Sequence, residues 1–156
     1  MKIIGFNIEE ISGKKVKEFV RYSINTDITF NNVEKAKIDV FKDSESLKIN
    51  FKFLVNYKDA DNKTEDLKNE ILIMGSILIM VDKELFKEFI KLWKDKQVPK
   101  DKIIPLYNFI LKKCSVRALQ LEEDLNLQPH IPFPQVKAQQ QTHRDRRSFP
   151  SRSVAR

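Results

Sequence analysis

The chain of 156 residues is 41% apolar and 33% charged, with three glycines, one cysteine and a formal net charge of +7. It is long enough to bury a core without a staple. Too little glycine and cysteine is present for a collagen-like chain, a flexible linker or a disulfide scaffold, and Cys114, His130 and His143 cannot assemble a zinc cluster. The charge is unevenly placed. Residues 1–137 hold 24 Lys and Arg against 21 Asp and Glu, whereas residues 138–156 hold five Arg and no Lys against Asp145 alone. That change of basic residue marks a boundary between a domain over 1–137 and a disordered basic tail over 138–156. The tail resembles a fusion scar or an out-of-frame read-through, with a native nucleic-acid-binding arm as the alternative.

The first expected strand is Lys2–Ile11, where Ile3, Ile4, Phe6 and Ile8 lead into Ser12-Gly13-Lys14-Lys15. Val16–Asn32 lacks one clear period and reads as a long connection with room for a short strand, since Ile24, Ile28 and Phe30 alternate with polar neighbours. A second strand is expected over Ala36–Phe41. The polar run Lys42–Ser46 then turns the chain into the clearest element. In Leu47–Tyr57, Leu47, Ile49, Phe51, Phe53, Val55 and Tyr57 share one face and mostly polar residues the other, as in a half-buried antiparallel strand. Glu70–Val81 is apolar on both faces, so it is central to a sheet or presents a face to something outside its own fold; Gly75 suggests a bulge or bend.

Asp82 is a natural N-cap for a helix over Lys83–Lys96. A connecting loop bracketed by Val98-Pro99 and Pro105 would expose Ile103 and Ile104, and Pro105 would open a second helix ending at Glu123. That helix carries two apolar stripes, one through Tyr107, Ile110, Leu111, Cys114, Ala118 and Leu121, the other through Leu106, Phe109, Val116 and Leu119. Pro129, Pro132 and Pro134, with Ile131 and Phe133 between them, form an extended apolar arm. Strands followed by two helices define an α+β fold, a four-stranded antiparallel sheet with both C-terminal helices on one face.

The residues of a catalytic centre are not evident. Three glycines make no phosphate loop, and both histidines fall at or beyond the Pro arm, so a His general base has no member inside the domain. Cys114 lies on an apolar stripe and reads as a small buried hydrophobe. Carboxylate pairs such as Asp59/Asp61, Glu65/Asp66 and Glu122/Glu123 read as solvation. No enzyme, metal or cofactor is expected. Lys48, Phe51, Lys52, Phe53, Tyr57 and Lys58 look like the strand of an RNA-recognition motif, but the aromatic spacing is six residues and the glycine is missing. The stretch Ile71–Phe89 contains too many polar and charged residues to span a bilayer, and no signal-peptide core follows Met1, so a cytoplasmic location is expected. What remains is more apolar surface than a small two-layer domain can cover, as in a homo-oligomer or a site for apolar segments of other proteins.

Several of these segments, in this order, resemble the SecB family of protein-export chaperones. They are the glycine-bearing strand Glu70–Val81 followed by a helix, the Ile103-Ile104-Pro105-Leu106-Tyr107 entry to the last helix, and the exit Leu125-Asn126-Leu127-Gln128-Pro129. A hairpin of Val33–Val40 with Leu47–Tyr57 looks like the second and third strands of that family, and the resemblance covers residues 2–136. It implies a tetramer built as a dimer of dimers that holds unfolded polypeptides in apolar grooves without ATP. The peptide-binding residues it implies are Phe19, Val20 and Tyr22 after the first strand, Val98, Ile103 and Ile104 between the helices, and Leu106 and Tyr107 on the last helix. Lys14, Lys15, Lys100 and Lys102 at the rim would steer acidic or extended clients. SecB-like proteins also serve as dedicated chaperones of antitoxins, so clients would be preproteins or one such partner. The competing readings are a structural oligomeric adaptor and a basic RNA-binding module.

Overall fold

A computed structural model describes residues 1–38, 43–61 and 68–138. The elements run β1 (Lys2–Lys14), β2 (Tyr22–Lys35), β3 (Ser44–Asp59), β4 (Asn69–Asp82), α1 (Lys83–Trp93) and α2 (Lys100–Asp124). The strands form one antiparallel sheet in the order β1-β4-β3-β2. This is the α+β arrangement expected from the sequence.

One face of the sheet is a lattice of apolar pairs. On β4, Ile71, Ile73, Ile77 and Ile79 are wholly buried, and Val55, Phe53, Ile49 and Leu47 lie opposite them on β3. Both strands sit inside the sheet, which explains the long apolar run of β4. Its alternate residues Leu72, Met74, Leu78 and Met80 are half-buried on the opposite face. On β1, Ile3, Phe6 and Ile8 face the same core, opposite Ile79, Ile77 and Gly75. The Phe51 ring lies across from Gly75 and stacks on Phe6, with centroids 5.6 Å apart.

The expected second strand is corrected. Ala36–Ile38 are not in a strand, and Asp39, Val40 and Phe41 lie outside the described residues. The strand is Tyr22–Lys35 instead, and it pairs with β3 along its whole length. A register shift between Phe30 and Asn32 turns Phe30 and Val33, three residues apart, onto one face, opposite Phe51 and Ile49. Two similar shifts interrupt β1. A strict period of two therefore fails along both edge strands, which is why β2 reads as an irregular connection. The strands also outrun their expected ends, β1 through Lys14 and β3 to Asp59.

Residues 15–21 carry the chain from one edge of the sheet to the other. Buried Asn69 holds this crossing: its Oδ1 accepts from the backbone N–H of Val16 and Lys17, and its Nδ2 donates to the Lys17 carbonyl at 2.7 Å.

Asp82 caps α1 by accepting from Leu85 N at 2.7 Å. The helix stops three residues short of its expected end. The second helix begins five residues earlier than expected, at Lys100, so Ile103 and Ile104 are helical and Pro105 lies inside the first turns. The loop is thereby reduced to residues 94–99. A proline at this depth forgoes one hydrogen bond but needs no partner from the preceding chain. Leu106, Ile110, Cys114, Ala118 and Glu122 form the buried stripe of α2, whereas Val116 of the expected second stripe is 60% exposed.

Candidate peptide-binding groove

The open edge at β2 and the junction between the helices together form a pocket. Thr29 and Phe30 of β2, Trp93 at the end of α1, Lys96, Gln97 and Val98 of the connection, and Lys100, Ile103 and Tyr107 of α2 line a hollow of about 490 Å³. Local geometry explains its shape. After Trp93 the backbone N–H groups of Asp95 and Gln97 both donate to the Leu92 carbonyl, and Lys96 adopts a left-handed φ of 57°. This closes α1 and turns the chain so that Val98 and Pro99 are buried beneath α2. Across the pocket the Phe30 and Tyr107 rings lie 5.1 Å apart. Because β2 is an edge strand, Ile24, Ile28 and Phe30 stay only half-buried on the face that α2 covers elsewhere.

Of the residues expected from the sequence, the pocket gathers three: Val98 at its floor, Ile103 on its wall and Tyr107 at its rim. Ile104, one position along α2, is 67% exposed beside it. Leu106 is corrected: it is wholly buried and belongs to the core, because its position on α2 points it at the sheet. Phe19, Val20 and Tyr22 lie elsewhere. Tyr22 and Phe30 are eight residues apart on one strand, about 26 Å. Phe19 packs against the core, Val20 is 92% exposed, and Tyr22 is fixed against Tyr57 and donates through its hydroxyl to Gln128 Oε1 at 3.0 Å. The two clusters are thus the ends of a half-buried apolar strip along β2, through Ile24 and Ile28. Phe30, Trp93 and Lys96 also line the pocket, and the sequence alone does not mark them as site residues. The alternation around Phe30 was visible, but its pairing was hidden by the irregular register that follows.

A second hollow, of about 670 Å³, lies over the other face of the sheet, where Phe6, Ile38 and Leu78 line it together with Glu34, Lys35, Lys37 and Lys48.

The C-terminal arm is tied down where the sequence offered no sign of it. His130 folds back onto α2, with Nδ1 2.6 Å from Glu122 Oε1 and Nε2 3.2 Å from Ser115 Oγ. Its backbone N–H also donates to Glu122 Oε2 at 3.3 Å. The expectation that no histidine enters the domain is therefore corrected for His130; His143 lies outside the described residues. A neutral imidazole satisfies both side-chain contacts, donating from Nδ1 and accepting the serine proton at Nε2. The order serine, histidine, carboxylate is that of a hydrolytic triad, but the His130 and Glu122 side chains are only 2% and 1% exposed. In this closed arrangement they join the arm to the helix. Tyr57 adds a hydrogen bond from its hydroxyl to the Gln128 carbonyl. Ile131, Phe133 and Val136 beyond the latch are exposed.

Two buried groups have displaced acidities. Burial pushes the Cys114 thiol up from its ordinary 9.0 to about 12. Burial, and next the negative charge of Glu122, also raises the Tyr57 hydroxyl. Both groups hold their protons longer in the folded chain than in the unfolded one. Their contribution to stability is therefore whole below about pH 9 and is lost as the pH climbs toward 12. Denaturant titrations should show a midpoint that is flat from pH 7 to 9 and falls above it. At pH 8 a chromogenic thiol reagent should label native Cys114 at least 100-fold more slowly than the unfolded chain, since the displaced acidity alone lowers the thiolate fraction by about 1,000-fold. Equal rates would place the thiol in contact with solvent.

No family model, curated protein or solved structure matches the chain. Among the described residues no helix is long and apolar enough to cross a membrane.

Proposed function

We propose that this chain is a SecB-like holdase, an ATP-independent chaperone that binds unfolded or partly folded polypeptides along the apolar strip beside β2. The observation that supports this most strongly is the open aromatic pocket of Phe30, Trp93 and Tyr107, adjoined by exposed Ile104, on the unpaired edge of the sheet. Such a surface binds by burying apolar area at about 25 cal/mol per Å², which needs no particular sequence. An extended client would lie along the strip from the pocket toward Tyr22. The reading includes a cytoplasmic homo-oligomer, a tetramer as a dimer of dimers, for which the outer edges of β1 and β2 offer backbone that no strand among the described residues pairs. No enzymatic activity is part of this reading. Clients would be preproteins or a single dedicated partner such as an antitoxin.

Ile104→Asp combined with Tyr107→Ser tests the site. Ile104 is exposed beside the pocket and Tyr107 is half-buried at its rim, so folding and oligomer size should be unchanged by circular dichroism and light scattering. Affinity for a reduced, unfolded client should fall at least tenfold. Unchanged affinity would remove this pocket from the binding surface.

A further inference from the structure

If the pocket does take polypeptide segments, its lining also says which ones. It contains two lysines, Lys96 and Lys100, and among the described residues no carboxylate. The stretch from Lys94 to Lys102 carries four Lys against Asp95 and Asp101, and Asp101 is engaged by Lys102 at 3.3 Å. Lys96 is the more telling residue. It stands at the helix-ending position where a left-handed backbone favours glycine or asparagine, and its Nζ lies over the Trp93 ring, 4.8 Å from the centroid. A lysine at that position forgoes the easier backbone of glycine, and it places a cation directly against the aromatic wall. Lys100 adds its charge at the first position of α2, where a cation opposes the helix dipole. Two cations are thus held at one aromatic pocket in places where local structure favours other residues.

We infer that the pocket is selective for acid-flanked aromatic segments: an extended peptide that inserts an aromatic or large aliphatic side chain between Phe30, Trp93 and Tyr107 and sets a neighbouring Asp or Glu against Lys96 and Lys100. This rests on the holdase reading of the same pocket and gives it a charge preference. The apolar contact supplies affinity, while the lysines decide between clients of equal hydrophobicity. Unfolded segments rich in Lys and Arg are disfavoured.

The chain contains a single tryptophan, and it lines this pocket. Its emission therefore reports on occupancy directly. The test uses the full-length protein and three labelled, tryptophan-free peptides that share a Phe-Leu-Phe core and are flanked by Asp, by Asn or by Lys. Fluorescence anisotropy should rank them Asp over Asn over Lys, with about tenfold between the extremes at low salt and a smaller gap at high salt. Trp93 emission should shift as the Asp-flanked peptide binds. In the Lys96→Gly, Lys100→Glu variant the order should level or reverse. That variant should fold at least as well as the parent, because glycine suits the left-handed position and glutamate suits a helix start. Equal affinity for all three peptides, or a preference for the Lys-flanked one, would overturn the charge inference and leave the groove standing. Binding without a change in Trp93 emission would place the peptide elsewhere and overturn the inference too. If none of the three binds, the holdase reading of the pocket falls with it.

Discussion

Gly75→Ala should lower the free energy of unfolding by about 3 kcal/mol, the upper end of what an overpacked core position costs. A Cβ added at Gly75 would sit 2.2 Å from the Asn7 carbonyl oxygen and 3.0 Å from Phe51 Cζ. The first neighbour is backbone of the adjacent strand and cannot swing away. The second belongs to the ring that bridges β3 to Phe6 on β1. Relief therefore means separating β1 from β4 or tilting Phe51, and both disturb the apolar lattice. Thermal unfolding should drop by about 6–12 °C, taking 2–4 °C per kcal/mol for a chain of this size. A midpoint within 2 °C of the parent would mean that β1 moves aside freely, and the close approach would then carry no stability.

The second large effect is expected at the latch between α2 and the arm. His130→Ala removes the Nδ1 donor of the buried Glu122 carboxylate and leaves it the backbone N–H of residue 130, and breaking a buried pair of this kind typically costs about 3–5 kcal/mol. Partial relaxation of the arm makes the lower end of that range the expected value. The segment after Gln128 should also become sensitive to limited proteolysis. Replacing both partners, His130→Leu with Glu122→Leu, should recover much of the loss, since two apolar groups leave nothing unpaired. A double variant as unstable as the sum of the single changes would show instead that packing of the imidazole on Phe53, centroids 6.0 Å apart, dominates the latch.

The interior strands were legible because their residues obey one rule from end to end. In Leu47–Tyr57 every second side chain faces the core, and Glu70–Val81 is apolar on both faces as a central strand should be. The edge strands were harder. Their pairing slips at Ile3/Gly5, Ile8/Glu10 and Phe30/Asn32, so residues three apart share a face and the period dissolves. For that reason the sequence reads as a connection over Val16–Asn32 and as a strand over Ala36–Phe41. The second helix starts earlier than its sequence suggests for a different reason. Pro105 suits a first turn, but Val98 and Pro99 already anchor the chain to the core, so the helix starts at Lys100 and accommodates the proline.

The site was legible to the same degree. Val98, Ile103 and Tyr107, which the family resemblance implies, line one pocket. Leu106 could not be separated from them, because adjacent residues of a helix point about 100° apart and only the position of the sheet decides which is buried. Phe30 belongs to the pocket through sheet pairing, a long-range fact. The partnership of Ser115, Glu122 and His130 likewise depends on the arm doubling back after Leu127, where Asn126 takes a left-handed φ of 51°.

The central claim is that the chain holds unfolded polypeptide without a nucleotide. It is tested most directly by light scattering of a reduced, unfolded model protein in the presence of the full-length chain, with ATP absent. The account predicts that aggregation is suppressed near one oligomer per client, that the same client in its folded form is not bound, and that Ile104→Asp with Tyr107→Ser loses the effect. A correctly folded oligomer that leaves aggregation unchanged would contradict it, and the pocket beside β2 would then belong to a different partner.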